Sequence, residues 1–176
     1  LWNQLERAAR LRKSEPAITC GEDRLNWFEA LDRAGRIARV LHNHGVRDGA
    51  RVAFISPNNI TYMLMTFAAE AAGGVFAPVN SRFTLPEIVE QLEDITPTLL
   101  IAAAPFIELA REAAERAAIP FLAMDAGGDD FNALVAAATP LPPIGRPADE
   151  PVAIFYSGGT TGRGKGVILT NERLVQ

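Results

Sequence analysis

The chain has 176 residues, of which 48% are hydrophobic and 22% charged, and its net charge at pH 7 is -4. A chain of this length buries roughly 70% of the surface of its unfolded form, so a core needs no disulfide or metal. Because charges of both signs are spread along an acidic sequence, the composition argues against a nucleic-acid partner and a polybasic membrane patch.

Cysteine usage and hydropathy indicate the compartment. Cys20 is the single cysteine of the sequence, so no internal disulfide can form, and no Cys/His spacing typical of a zinc site occurs. The sequence contains no apolar run long enough to span a bilayer, and Glu6, Arg7 and Arg10 interrupt its first eleven residues. These features predict a cytoplasmic protein without a transmembrane segment.

The amino-terminal part predicts a helix, a hairpin and a second helix. Apolar residues follow a helical spacing over 1–13, and short β-rich runs on either side of a glycine predict a hairpin over 17–26. Asn26 and Glu29 form a capping pair that predicts the start of the second helix. This helix is predicted to end at Gly45, and the spacing places five residues along one of its faces: Phe28, Leu31, Gly35, Ala38 and His42.

Beyond residue 50, predicted strands and helices alternate. The predicted strands are 51–56, 75–79, 98–103 and 121–124, and the predicted helices are 59–72, 84–94, 106–118 and 131–138. Alternation of this kind is typical of an α/β fold: a mostly parallel sheet with helices on both faces.

A glycine-rich segment follows this alternation. A proline-rich linker over 139–151 leads to a strand at 152–156, and the predicted phosphate loop spans 156–166. Residues 155–166 contain five glycines, three Ser or Thr hydroxyls and two cations. Glycines let backbone N–H groups approach an anion closely, while hydroxyls and cations add further donors, so the composition predicts a phosphate-binding loop.

A Walker A loop, G-x-x-x-x-G-K-[ST], is one interpretation of this segment. Gly159, Gly164 and Lys165 fit the pattern, but Gly166 stands where a hydroxyl should ligate magnesium. The apolar run at 167–169 also predicts a strand, whereas a Walker A loop leads into a helix. A helix beginning at Lys165 would support a divergent P-loop NTPase, and a strand at 167–169 would count against it.

A second interpretation comes from a family resemblance. The ten residues from Ser157 to Gly166 resemble the signature [ST]-[SG]-G-[ST]-T-G-x-P-K-G of the adenylate-forming, or AMP-binding, enzymes; nine positions fit, and Gly164 replaces the proline. Segments 25–31, 45–53 and 71–80 also resemble segments of that superfamily, and they occur in the same order along the chain. The resemblance therefore covers nearly the whole chain and is of the acyl-CoA synthetase, fatty-acid–CoA ligase type.

The resemblance implies an ATP-dependent carboxylate–CoA ligase. Such an enzyme converts a carboxylic acid to an acyl-adenylate with release of pyrophosphate and then transfers the acyl group to coenzyme A. It implies ATP, Mg²⁺ and coenzyme A as co-substrate, together with a small-molecule carboxylic acid. Residues 1–176 would be the amino-terminal part of the AMP-binding domain, without the C-terminal lid domain.

The same resemblance implies the site residues. Thr160 and Lys165 would be catalytic, and Thr160 would be the hydroxyl nearest magnesium. The residues that would surround the phosphates of ATP are Ser157, Gly158, Gly159, Thr160, Thr161, Gly162 and Lys165.

Further motifs of such ligases follow the phosphate loop, and the 176 residues do not contain them, so we expect the fragment alone to be inactive. A non-catalytic binding module on the same fold is a third interpretation, and Gly164 favours it slightly. The acid, whether fatty, aryl or other, and the oligomeric state, a homodimer included, are left open by the sequence.

Overall fold

The computed structural model describes residues 1–125, 127, 130–156 and 165–175. The helices in these ranges are α1 (Trp2–Leu11), α2 (Trp27–Asn43), α3 (Ile60–Ala71), α4 (Leu85–Ile95), α5 (Ile107–Ala117), α6 (Phe131–Ala137) and α7 (Asn171–Val175). The strands are β1 (Pro16–Cys20), β2 (Asp23–Asn26), β3 (Arg51–Ile55), β4 (Val75–Pro78), β5 (Leu99–Ala102), β6 (Phe121–Ala123), β7 (Pro151–Tyr156) and β8 (Gly166–Thr170).

One mixed sheet organises the fold. Its strand order is β6-β5-β3-β4-β7-β8, and neighbouring strands are parallel except for the antiparallel pair β7 and β8. β1 and β2 form a separate antiparallel hairpin. The predicted α/β fold with a mostly parallel sheet and helices on both faces is confirmed.

The direction of each crossover decides which face a helix covers. Parallel crossovers are right-handed in nearly all proteins, so connections that run in opposite directions along a sheet lie on opposite faces. β4 lies on one side of β3 and follows it through α3, whereas β5 lies on the other side and is reached through α4. Accordingly α3 packs on one face, with α1, α2 and α6, and α4 packs on the other, with α5.

Alternate residues of the central strands supply the two cores. Val52 and Phe54 of β3 point to the α2 face, and Ala53 and Ile55 point to the α4 face. All four side chains are fully buried. A strand buried on both faces needs a continuous apolar run, which is the pattern seen in the sequence of β3.

The predicted helix starts are confirmed by their capping bonds. Asn26 Oδ1 accepts from the Glu29 amide at 2.9 Å, and Glu29 Oε2 accepts from the Asn26 amide at 2.8 Å. Glu87 Oε2 accepts from both the amide and the hydroxyl of Thr84, each at 2.7 Å, at the start of α4. Phe28 lies in α2 as predicted, its side chain is 50% exposed, and the Lys13 ammonium lies 4.8 Å from the centre of its ring.

The proline-rich segment between α6 and β7 lies against the helices of the α2 face. The Leu141 amide donates to the Gly35 carbonyl of α2 at 2.9 Å, and the Ile144 amide donates to the Ala71 carbonyl of α3 at 2.9 Å. Arg146 then donates through Nη1 to the carbonyls of Gly74 and Pro151, at 3.2 and 3.0 Å. These bonds place the start of β7 beside β4.

Candidate functional site

The carboxyl ends of the parallel strands share one edge of the sheet. β7 pairs with β4, with Phe76 opposite Ala153, so Tyr156 at the end of β7 lies on the same edge as the chain that leaves β4 towards Asn80. In open α/β sheets, ligands bind at this edge near the point where successive connections change face. Here that point lies between β3 and β5, because the chain leaves β3 towards β4 and leaves β5 in the opposite direction, towards β6, through helices on opposite faces.

The glycine-rich segment joins β7 to β8 at this edge. β7 and β8 pair antiparallel, with Tyr156 opposite Gly166 and Phe155 opposite Val167. The predicted strand at 167–169 is therefore confirmed as part of β8. A strand after the glycines counts against the Walker A arrangement, in which a helix N-terminus faces the phosphates.

Most of the predicted phosphate-binding residues lie outside the residues that the structure describes: Ser157, Gly158, Gly159, Thr160, Thr161 and Gly162. Their predicted roles stay predictions, as does the role of Thr160 towards magnesium. Lys165 is described, is exposed, and directly precedes Gly166 of β8. The structure thus places the two strands that flank the predicted loop and one of its two cations.

Polar side chains hold the ends of the central strands. Asn59 Nδ2 donates to the Ser56 hydroxyl at 2.8 Å, and Asn59 Oδ1 accepts from the Tyr62 amide at 2.8 Å, which caps α3. Gln91 of α4 is 4% exposed and donates through Nε2 to the Pro78 carbonyl at 3.4 Å. These side chains bind residues at the end of β4 and just after β3, so they help to fix the shape of the edge.

Tyr156 makes a contact that no feature of the sequence signalled. Its hydroxyl donates to the carboxylate of Asp94 on α4, 62 positions away in the chain. Burial of the ring raises the pKa of the Tyr156 hydroxyl, the bond to Asp94 raises it further, and the positive charge of Arg51 acts in the opposite direction. The hydroxyl therefore stays protonated and donates at physiological pH. Sequence reasoning missed Asp94 because a single acid in the last turn of an amphipathic helix carries no motif.

Among the described residues, no group of three or more His, Cys, Asp or Glu side chains lies close enough to hold a metal ion. In the same residues, none of the helices combines the length and the apolar character that a membrane crossing requires.

The sequence of the chain is similar to those of known CoA ligases and synthases. The chain is 34% identical over 170 residues to a feruloyl-CoA synthase of an Amycolatopsis species, covering 96% of this chain and 33% of that protein. It is 32% identical over 174 residues to a long-chain-fatty-acid–CoA ligase of Mycobacterium tuberculosis, covering 97% of this chain and 35% of that protein. The chain thus spans about a third of the length of these curated relatives.

Solved structures share the fold. ATP-bound MatB from Rhodopseudomonas palustris superposes with a TM-score of 0.85 at 28% identity, over 99% of this chain and 36% of that one. A benzoate CoA ligase from Burkholderia xenovorans superposes with a TM-score of 0.89; at 22% identity, that likeness shows the fold alone. Residues 5–176 match the family model described as AMP-binding enzyme. The chain therefore belongs to the AMP-binding enzyme family.

Proposed function

We propose that the protein containing these residues is an ATP-dependent carboxylate–CoA ligase. The observation that best supports this is the antiparallel pair β7 and β8, which brackets a loop rich in glycines and hydroxyls at the ligand-binding edge of the sheet. Membership of the AMP-binding family supports it independently.

The proposed reaction has two steps. An oxygen of the carboxylate attacks the α-phosphorus of ATP, the bond to the bridging oxygen of the β-phosphate breaks, and pyrophosphate leaves. The thiol of coenzyme A then attacks the acyl carbon, loses its proton, and AMP leaves with the electron pair of the broken bond. Negative charge grows on the leaving pyrophosphate, so donors aimed at its oxygens stabilise the transition state.

The glycine-rich segment supplies those donors in this proposal. The ammonium of Lys165 and the backbone and hydroxyl groups of residues 157–162 bind the β- and γ-phosphates. Thr160 offers a hydroxyl oxygen, a ligand type that Mg²⁺ accepts, and bound Mg²⁺ would neutralise part of the phosphate charge.

The proposed substrate class follows from the relatives. Their names refer to feruloyl and long-chain fatty acyl groups, and we propose an aryl or a fatty acid for this protein. We further propose a cytoplasmic enzyme, because a single cysteine is compatible with a reducing compartment.

ATP–pyrophosphate exchange tests the function. The protein at its native length is assayed with a panel of aryl and fatty acids, and exchange above background with at least one acid is expected. Lys165→Ala should lower the exchange rate about 100-fold or more, the usual effect of losing one transition-state donor. Arg163→Ala is the matched control because it removes the other cation of the same loop at a position the family signature leaves variable. Equal losses in both variants would contradict the assigned role of Lys165.

The 176 residues alone are expected to show no exchange, because the resemblance assigns further site residues to segments after the loop. Robust exchange by the isolated 176 residues would contradict this. Gly164, in place of the signature proline, is the one feature that favours a non-catalytic binding module. ATP binding without exchange with any acid would support that alternative. If Gly164→Pro changes neither the affinity for ATP nor the exchange rate, the support from Gly164 is removed.

A further inference from the structure

One aromatic ring belongs to the residue before the glycine-rich segment and packs against the residue after it. Tyr156 is the last residue of β7, Gly166 is the first residue of β8, and the two lie opposite each other in the antiparallel register. Gly166 packs closely against this ring: a β-carbon at position 166 would lie 3.3 Å from Cζ of Tyr156 and 3.5 Å from its hydroxyl oxygen. The strand ends on either side of 157–165 therefore meet at the Tyr156 ring.

The hydroxyl of the same ring is bound to a second element. It donates to the Asp94 carboxylate in the last turn of α4. α4 itself is held firmly, since Ile88, Leu92 and Ile95 on its inner side are at most 1% exposed. Through Asp94, a helix that packs against the sheet anchors the ring that lies between the two strand ends.

The stability of α4 does not explain an acid at this position. The helix dipole disfavours negative charge in the last turn, and aspartate is a poor helix former. Asp94 is also exposed, so it is not needed to fill the core. Its contact with the Tyr156 hydroxyl is the one interaction in the described residues that distinguishes it from its exposed neighbour Glu93.

We propose that Tyr156 and Asp94 form a positioning pair that holds the two strand ends in register and thereby sets the affinity of the glycine-rich segment for the polyphosphate of ATP. This inference rests on the proposed function. Neither residue is a catalytic residue here, because both act through the segment between the strand ends. Small displacements of positioning groups are sufficient to change binding and rate, so a single hydrogen bond at the base of the loop can matter.

The pair is tested by removing the donor of the hydrogen bond and by weakening its acceptor in the protein at its native length. Tyr156→Phe keeps the ring and its packing on Gly166 but removes the donor, and Asp94→Asn removes the charge of the acceptor. Each variant should raise the KM for ATP, and the Kd for ATP measured by calorimetry, about tenfold, corresponding to one hydrogen bond of about 1.4 kcal/mol. The KM for the carboxylic acid should stay within about twofold of the wild-type value.

Controls and a double variant separate positioning from general stability. Glu93→Gln removes one negative charge from the adjacent exposed position of α4, and Tyr62→Phe removes the other phenolic hydroxyl of the chain; both should leave the Kd for ATP unchanged. Because the two halves act as one unit, the Tyr156→Phe, Asp94→Asn double variant should bind ATP no more weakly than either single variant.

Each contrary outcome has a distinct meaning. If the wild-type protein binds ATP and both single variants bind it equally well, the positioning role is wrong and the ligase proposal stands. Equal losses for ATP and acid together with a lower melting temperature would show a merely structural bond, and additive losses would show that the residues act separately; either result overturns the pair. A wild-type protein that binds no ATP would overturn the proposed function and the pair with it.

Discussion

The centre of the sheet and its β7–β8 end are built differently. Every residue of β4 and β5 is buried, and β3 has one partly exposed residue, Arg51. In β8, by contrast, the first three residues are exposed, with Val167 at 50% and Ile168 at 57%. β7 is intermediate, because only Val152 and Ala153 are buried.

This difference separates the residues that stabilise the fold from those that shape the site. Burial of apolar surface on both faces provides most of the stability of the centre. At the β7–β8 end the chain depends instead on backbone pairing and on individual contacts such as the bond from Tyr156 to Asp94. Substitutions at the two places should therefore differ mainly in what they change: the free energy of unfolding at the centre, and ligand binding at the end.

The largest difference is expected for one substitution made in both regions. Val52→Ala in β3 removes buried methyl groups and should lower the free energy of unfolding by about 2–3 kcal/mol. Val167→Ala in β8 changes a half-exposed side chain and should cost at most about 0.5 kcal/mol. Urea unfolding followed by circular dichroism measures both. Similar losses for the two variants would contradict the contrast between centre and end.

A smaller difference is expected for glycines. A β-carbon at Gly74, where the chain enters β4, would lie 2.4 Å from Val46 Cγ1 and 2.8 Å from the Ala50 carbonyl oxygen. Because the carbonyl is backbone and cannot move aside cheaply, Gly74→Ala should lower the free energy of unfolding by about 1–3 kcal/mol.

The corresponding substitution at the β7–β8 end is Gly166→Ala. There the nearest atoms are farther away and belong to side chains rather than to the backbone, Ile154 Cγ2 at 3.0 Å and Tyr156 Cζ at 3.3 Å, so the loss should be smaller. Gly145→Ala is the control, because no atom lies within 4 Å of the added carbon. A larger loss at Gly166 than at Gly74 in thermal or urea unfolding would show that the end is packed as rigidly as the centre.

The smallest effect on the free energy of unfolding is expected from the Tyr156 hydroxyl at alkaline pH. The pKa of Tyr156 is higher in the folded chain than in the unfolded chain, first through burial and then through Asp94. The folded state therefore retains a proton that the unfolded state loses above about pH 10, and this contribution to stability decreases as the pH rises. In urea unfolding from pH 8 to 11, Tyr156→Phe should show a shallower decline than the wild type. Superimposable pH profiles would contradict the shifted pKa.

Local sequence patterns were sufficient to predict the elements and the class of fold. The capping pairs at Asn26 and Thr84 mark helix starts through short-range hydrogen bonds, so the residues concerned lie within one turn of each other. The strand after the glycine-rich segment was also predictable, because β-branched residues at 167–168 disfavour the helix that a Walker A loop requires. Family membership could likewise be inferred from the order of the motifs.

Tertiary structure alone decided which distant residues meet. The Asp94 and Tyr156 side chains contact because α4 packs on the face of the sheet to which Tyr156 points, and the handedness of the crossovers sets that face. Phe28 also shows that spacing along the sequence does not determine packing. Its spacing is helical, but no element covers its side chain enough to bury it. Hydrophobic periodicity indicates which side of a helix or strand is apolar, whereas tertiary packing determines which residues that side contacts. The sequence by itself therefore determined the phosphate-loop motif and the strands that flank it, and only the folded chain brought Asp94 to the base of that loop.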